Sequence, residues 1–240
     1  MKKITADLMH FKTLNDLVRD CEDHDIFIEN CIGQRYIAAS SKGKNIIITG
    51  TPGNALGAYL DGSEITVNGN AQDAMGDTMN DGRIVVHGSA GDTTGYGMRG
   101  GTILIRDNAG YRAGIHMKQY KDHIPALVIG GVAGSFLGEY QAGGVILVLG
   151  KGADGKQPTG FFCGTGMHGG KIYLRCDEEP DIPIQIKADP ATAADKEDMR
   201  PYVAEYCEAF GGDVDELLNQ KFYVLTPNSN SPYKRMYTFN

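Results

Sequence analysis

Pairs of aliphatic residues separated by one position recur through the middle of the chain: Ile65 and Val67, Ile84 and Val86, Ile103 and Ile105, Leu127 and Ile129, Ile146 and Val148, Ile172 and Leu174. Alternation with period two predicts a short strand at each pair, with both aliphatic side chains on one face. The first three pairs are 19 residues apart. The fourth arrives five residues late, and the sixth follows a seven-residue insertion. A strand of about five residues cannot bury its face alone, so the units must stack, about 4.8 Å apart, and share one continuous aliphatic ladder.

Other positions fall into register with the pairs. With Gly50 as offset zero, units begin at Gly50, Gly69, Gly88, Asp107, Gly131 and Gln157. Offset 7 is glycine in every unit, as Gly57, Gly76, Gly95, Gly114, Gly138 and Gly164. A corner that needs φ > 0, or a close approach of one turn to the next, accounts for a fixed glycine. Offset 10 is Leu60, Met79, Met98, Met117, Gln141 and Met167, mostly pliable side chains suited to filling space opposite the strands. Parallel crossovers favour a right-handed connection. The expected fold is therefore an all-β core, a right-handed parallel β-helix of six to seven single-strand coils with flanking helices. The central strand position, offset 16, must point outward, yet it reads Thr66, Val85, Leu104, Val128, Leu147 and Tyr173. Such an apolar outer stripe needs a cover, from this chain or from a partner.

The flanks supply candidates. Residues 1–30 read as an N-terminal cap: a helix N-capped by Thr13 with Leu14, Leu17, Val18 and Cys21 on one face, then a strand at Ile26–Glu29. Residues 31–176 are the repeat domain, opening with a degenerate coil that carries Gly33, Gly43, Ile46 and Ile48. Residues 177–240 form a C-terminal extension: a strand through Ile182, Ile184 and Ile186, a helix from about Asp198 with Pro201 in its first turn, a short helix boxed by Asp213 and Glu216, and an extended tail at Phe222–Leu225.

Composition adjusts this picture in a few places. Glycine, at 33 of 240 residues, is about twice its usual share, but no Gly-X-Y period runs through the chain and 41% of residues are hydrophobic. A net charge of −7 disfavours nucleic acid as a partner. Five scattered cysteines without a CxxC pair argue against a disulfide scaffold or an iron–sulfur or zinc site and fit a reducing, cytoplasmic compartment. Residues 1–10 lack the apolar core of a signal peptide, and the uncharged, glycine-containing stretch Ala126–Gly138 has 13 residues, too few to span a membrane.

No constellation for catalysis assembles by spacing. Gly95–Gly100 and Gly164–Gly169 both match G-x-G-x-x-G, but a phosphate cradle needs a strand before and a helix after. Here a strand follows, and both stretches occupy the same repeat columns, so they read as corners. Cys163, beside Leu56, Met75 and Leu137 in register, reads as a small core residue. His116 and His123 lie in the fourth-unit insertion, His116–Pro125, where a metal site competes with a solvated loop. Asp73, Asp77, Asp81 and Asp92 are candidates for a calcium-binding face and equally for turns. The basic members of offset 11, Arg99, Lys118 and His168, share their column with Asp61, Asn80 and Ala142 and read as a solvated edge.

Several stretches resemble the GXGXG domain at the C-terminus of the large subunit of glutamate synthase, in a stand-alone form: Gly33-Gln34-Arg35-Tyr36-Ile37, Thr51-Pro52-Gly53-Asn54, Gly69-Asn70-Ala71-Gln72-Asp73, Gly97-Met98-Arg99-Gly100-Gly101, Gly110-Tyr111-Arg112, Gly138-Glu139-Tyr140 and Thr165-Gly166-Met167-His168-Gly169-Gly170. The repeat block is also similar to one of the subunits of formylmethanofuran dehydrogenase. Because the likeness extends into both flanks, including Ser231-Pro232-Tyr233, the first family is favoured. That resemblance implies a non-catalytic structural subunit. It would brace a class II glutamine amidotransferase subunit, which releases ammonia, and an FMN and iron–sulfur subunit, which reduces the iminoglutarate formed with 2-oxoglutarate. This chain itself would carry no cofactor, metal or catalytic residue, and Met1-Lys2 offers no N-terminal cysteine nucleophile. Alternatives are a scaffold in another multisubunit oxidoreductase, such as formylmethanofuran dehydrogenase, and an independent β-helix enzyme. Self-association into a homo-oligomer stays open.

Overall fold

The computed structural model describes residues 1–228; Ser231-Pro232-Tyr233 lies outside the described residues. The protein is mostly β. Among the described residues a single sheet holds eleven strands: β1 (Lys2–Thr5), β2 (Asp25–Ile32), β3 (Asn45–Thr51), β4 (Asp61–Asn68), β5 (Asp81–Val86), β6 (Thr102–Ile105), β7 (Ala126–Ile129), β8 (Ala142–Val148), β9 (Gly169–Arg175), β10 (Ile186–Pro190) and β11 (Phe222–Pro227). Their spatial order is β1 to β9 in sequence, then β11, then β10. Every pair from β1 to β9 is parallel, and β11 runs antiparallel to both of its neighbours.

The register places like on like. Ile46, Ile65, Ile84, Ile103, Leu127, Ile146 and Ile172 are opposite one another in successive strands, as are Ile48, Val67, Val86, Ile105, Ile129, Val148 and Leu174. All fourteen are buried in one core. Away from the strands the turns also stack: isolated parallel bridges join Ala71 to Ala90, Ala90 to Ala109, Ala109 to Ala133 and Ala133 to Thr159, one repeat apart. Small residues in this column let the backbones approach.

The ends differ from expectation in instructive ways. The first helix, α1 (Phe11–Arg19), starts before Thr13, because His10 is extended and its Nδ1 accepts the Lys12 N–H at 3.3 Å. Leu14 and Val18 of α1 plug the inner core, whereas Leu17 is exposed. The strand expected at Ile26–Glu29 is longer and already belongs to the ladder, with Ile26 opposite Ile46 and Ile28 opposite Ile48. The boundary at residue 30 thus falls inside β2. The edge strand β1 carries Lys2 and Lys3, charges that discourage edge-to-edge pairing.

At the other end, the expected Ile182–Ile184–Ile186 strand does not form: Ile184 is exposed, the Ile186 N–H turns back to the Pro183 carbonyl, and β10 begins at Ile186. Pro183 cannot donate to a ladder. The long helix α2 spans Ala193–Phe210, starting five residues before the position expected from Pro201. A reciprocal capping box between Thr192 and Asp195 fixes its start. Pro201 is therefore inside the helix. The bond it removes would have been accepted by Glu197, and both residues are exposed, so water can serve that carbonyl. The burial of Met199, Val203 and Tyr206 outweighs the defect. In the short helix α3 (Val214–Leu218), Asp213 caps by accepting the Glu216 N–H.

Candidate functional site

The six corner glycines, Gly57, Gly76, Gly95, Gly114, Gly138 and Gly164, all have φ between 62° and 71°. Each donates its N–H to the preceding turn, for instance Gly76 to Leu56 and Gly95 to Met75. A second constraint acts on four of them. A side-chain carbon on Gly57, Gly76, Gly114 or Gly138 would overlap the Cδ1 methyl of Ile84, Ile103, Ile146 or Ile172, the ladder residue of the next unit. Corner and ladder thus interlock from turn to turn.

The outer stripe is covered from within the chain. Val85, Leu104, Val128, Leu147 and Tyr173 form a second core with Met199, Val203 and Tyr206 of α2, Leu218 of α3, and Phe222 and Val224 of β11. Alternation in β11 sends Tyr223 and Leu225 to the inner core instead. Polar contacts pin the cover: the Tyr206 hydroxyl donates to the Arg106 carbonyl at 3.0 Å, and Lys171 pairs with Asp195 at 3.2 Å and Asp198 at 2.8 Å. Burial lowers the affinity of the Lys171 amine for its proton, but Asp198, then Tyr173 and Asp195, outweigh it and hold its pKa above the usual lysine value. With this stripe occupied, outer surface for partners has to be found elsewhere.

The corners provide it. The residues at offset 5 (Ala55, Ala74, Thr93, Arg112, Phe136 and Phe162) all have positive φ, as do Tyr59, Thr78, His116 and Tyr140 at offset 9. For a non-glycine residue that conformation costs roughly 1–2 kcal/mol. The later units nevertheless load these corners with rings. Tyr111, Phe136 and Phe162 run in contact, with centroids 5.3 and 4.9 Å apart, and Tyr96, His116 and Tyr140 do the same at 5.7 and 5.1 Å. Arg112 lies over both Tyr111 and Phe136 and pairs with Glu139 at 3.0 Å. Phe161 is 75% exposed and Phe162 56%. Both border a groove of about 560 Å³ shared with Ile182, Pro183 and Ile184. This ridge escaped the reading of the sequence, although the aromatic residues of offsets 4, 5, 8 and 9 could have been aligned there.

The remaining candidates resolve individually. The two G-x-G-x-x-G stretches are corners: Gly95, Gly97, Gly164 and Gly166 have positive φ, and a strand follows each stretch. Cys163 is fully buried, and burial pushes its thiol up to about 12, so it is no nucleophile in the folded state. The aspartates serve turns. Asp73 accepts the Asp92 N–H, Asp92 that of Tyr111, Asp81 that of Gly82, and Asp77 the Thr78 hydroxyl. Among the described residues no three His, Cys, Asp or Glu side chains converge as a metal site. His116 sits in the aromatic stack, whereas His123 lines a groove of about 570 Å³ with Asp61, Asn80, Asp81, Arg99, Lys118 and Tyr120. The fold brings the first four members of offset 11 together with the fourth-unit insertion, and leaves His168 outside that groove. Among the described residues no helix is long and apolar enough to cross a membrane.

Stacked turns with a glycine at each corner, one parallel ladder and a helical cover define a glycine-cornered repeat protein. The chain belongs to the family defined by the GXGXG motif, which matches residues 24–228. It is 44% identical over 249 aligned positions to the uncharacterized protein MJ1350 of Methanocaldococcus jannaschii, across 98% of this chain and 95% of that one. Its fold is similar to that of a chain in the formyltransferase/hydrolase complex (FhcABCD) from Methylorubrum extorquens, solved in complex with methylofuran. The TM-score is 0.66 at 18% identity, covering 92% of this chain and 89% of the other.

Proposed function

We propose that this protein is a non-catalytic structural subunit of a glutamate-synthase-type complex. In this reading the sheet and stacked corners form a right-handed parallel β-helix, and the rod braces a class II glutamine amidotransferase subunit and an FMN and iron–sulfur synthase subunit in the cytoplasm. FMN and the iron–sulfur centre belong to the partner, and neither nucleic acid nor membrane is a partner. The observation that carries the subunit role is the aromatic ridge. Phe136 and Phe162 are held at positive φ, and Phe162, Phe161 and Tyr111 are exposed. Strained, exposed rings weaken an isolated chain and become useful where a partner buries them. The membership of the GXGXG family supports the choice of complex.

The test is affinity purification of the full chain from its native host under gentle conditions. Recovery of a glutaminase chain and an FMN-containing chain in stoichiometric amounts is expected. Recovery of neither would refute the glutamate-synthase reading. A second reading, a scaffold in another multisubunit oxidoreductase such as formylmethanofuran dehydrogenase, is favoured by the fold shared with a chain of the formyltransferase/hydrolase complex. Co-purification of formyl-transfer or formyl-hydrolysing chains would select it.

A further inference from the structure

The groove beneath the fourth-unit insertion holds two cations, Arg99 and Lys118, that have no ion-pair partner among the described residues. Arg99 and Lys118 occupy the same column in successive turns. Their main chains are fixed there, with the Arg99 N–H donating to Met79 and the Lys118 N–H to Met98, at 2.8 and 2.9 Å. Stacked turns lie about 4.8 Å apart, so the two side chains leave the backbone as neighbours. Among the described residues neither side chain has a hydrogen-bond or ion-pair partner, although the chain carries 30 acidic residues against 23 lysines and arginines. Like charges at this spacing repel, and no ion pair among the described residues offsets it.

The rest of the groove is ordered around them. The insertion closes on itself through two backbone bonds, Tyr120 N–H to the His123 carbonyl at 3.2 Å and His123 N–H to the Tyr120 carbonyl at 3.0 Å, with Lys121 at φ 54° between them. Gln119 braces it by donating to the Lys121 carbonyl at 3.1 Å. This tight turn sets Tyr120 and His123 beside Arg99 and Lys118. The base of the turn is seated: a side-chain carbon on Gly100 would touch Cβ of His123. Of the two carboxylates that share the groove, Asp61 is paired with Lys42 at 3.1 Å and Asp81 accepts the Gly82 N–H at 2.7 Å, and neither pairs with Arg99 or Lys118. Arg99 and Lys118 thus stand in this groove without an ion pair to either of its carboxylates.

We propose that Arg99 and Lys118, flanked by Tyr120 and His123, form a binding site for a small multivalent oxyanion, a dicarboxylate or a phosphate-bearing molecule. A planar guanidinium engages two oxygens side by side, and an ammonium adds a point charge next to it. A singly charged anion would leave one of the two cations without a partner. The volume of about 570 Å³ is within the usual range for small-molecule sites, roughly 300–1,000 Å³. This site is independent of the assembly reading above.

The experiment is a side-chain NMR titration of the full chain with succinate, with inorganic phosphate, and with acetate as the monovalent control. Saturable shifts confined to Arg99, Lys118, Tyr120 and His123 are expected for succinate or for phosphate. Binding should be at least about tenfold tighter than for acetate, and the tighter arm identifies the ligand's class. The double variant Arg99→Gln, Lys118→Gln should weaken that binding by at least about tenfold without lowering the melting temperature, since both side chains are exposed and their mutual repulsion is removed. Shifts that fail to saturate or spread over all basic residues, or a double variant that binds as well, would overturn the site. So would binding of a glutamate-rich peptide when neither small anion binds, which would make the groove a protein contact.

Discussion

Gly76 lies against the Cδ1 methyl of Ile103, one unit further along, so closely that any side chain on the glycine would overlap it. Gly95, at the same offset, faces Leu127 instead, and a side-chain carbon there would have its nearest neighbours, Met98, Ile103 and Leu127, at 3.6–3.9 Å. The two positions separate strain from crowding. Gly95→Ala should cost only the backbone term, about 1–2 kcal/mol. Gly76→Ala should cost that plus an overpacking term of about 1–3 kcal/mol. Chemical denaturation of both variants checks the order; equal losses would mean that the ladder yields freely to the corner.

Ile103 and Leu104 are adjacent in β6 and serve different cores. Ile103→Ala opens a cavity in the inner ladder and should cost about 2–5 kcal/mol. Leu104→Asp places a charge under the cover and should release it. Hydrogen exchange should then show amides of 193–218 losing protection while those of the neighbouring strands β5 and β7 keep theirs. Uniform loss across all of them would show that cover and ladder unfold as one unit.

Tyr206 ties α2 to a carbonyl 100 residues earlier in sequence. Tyr206→Phe keeps the ring and leaves the Arg106 carbonyl without this donor, a loss of about 1 kcal/mol in denaturant titrations. Burial, then the nearby Asp107, raises the Tyr206 hydroxyl from its ordinary value near 10 to about 12. Between those values the folded state retains a proton that the unfolded chain has released, so stability falls as pH rises. The contribution is fully present below pH 10 and is lost as pH passes through about 12. Comparing the melting temperature of the wild type and Tyr206→Phe between pH 9 and 12 isolates it, and the variant should fall less steeply.

Pro201 stands inside α2 on its exposed side. Pro201→Ala restores a hydrogen bond to Glu197, and alanine is the better helix former by about 3 kcal/mol in a free helix interior, an upper limit here. The melting temperature should rise. A fall would mean that a bend at Pro201 fits α2 to the twisted outer face of the sheet.

The repeat was legible in the sequence because its causes are local and recur. A period of two marks each strand, a glycine marks each corner, and their common spacing superimposes one unit on the next. The aliphatic ladder from Ile65 to Leu174 and the six corner glycines follow from that alone, and the apolar stripe could be recognised as needing a cover. Flank boundaries were less legible: Pro201 suggested a late helix start, yet Thr192 and Asp195 set an earlier one, since burial of three side chains outweighs one missing hydrogen bond. Only the tertiary structure decided that α2, α3 and β11 cover the stripe, that Gly95 alone among the first five corners escapes its neighbour's methyl, and that Arg99 and Lys118 share a groove with Tyr120 and His123. These relationships join segments many residues apart. Local pattern fixes which face of a strand is apolar, whereas what lands on that face depends on where the folded chain returns.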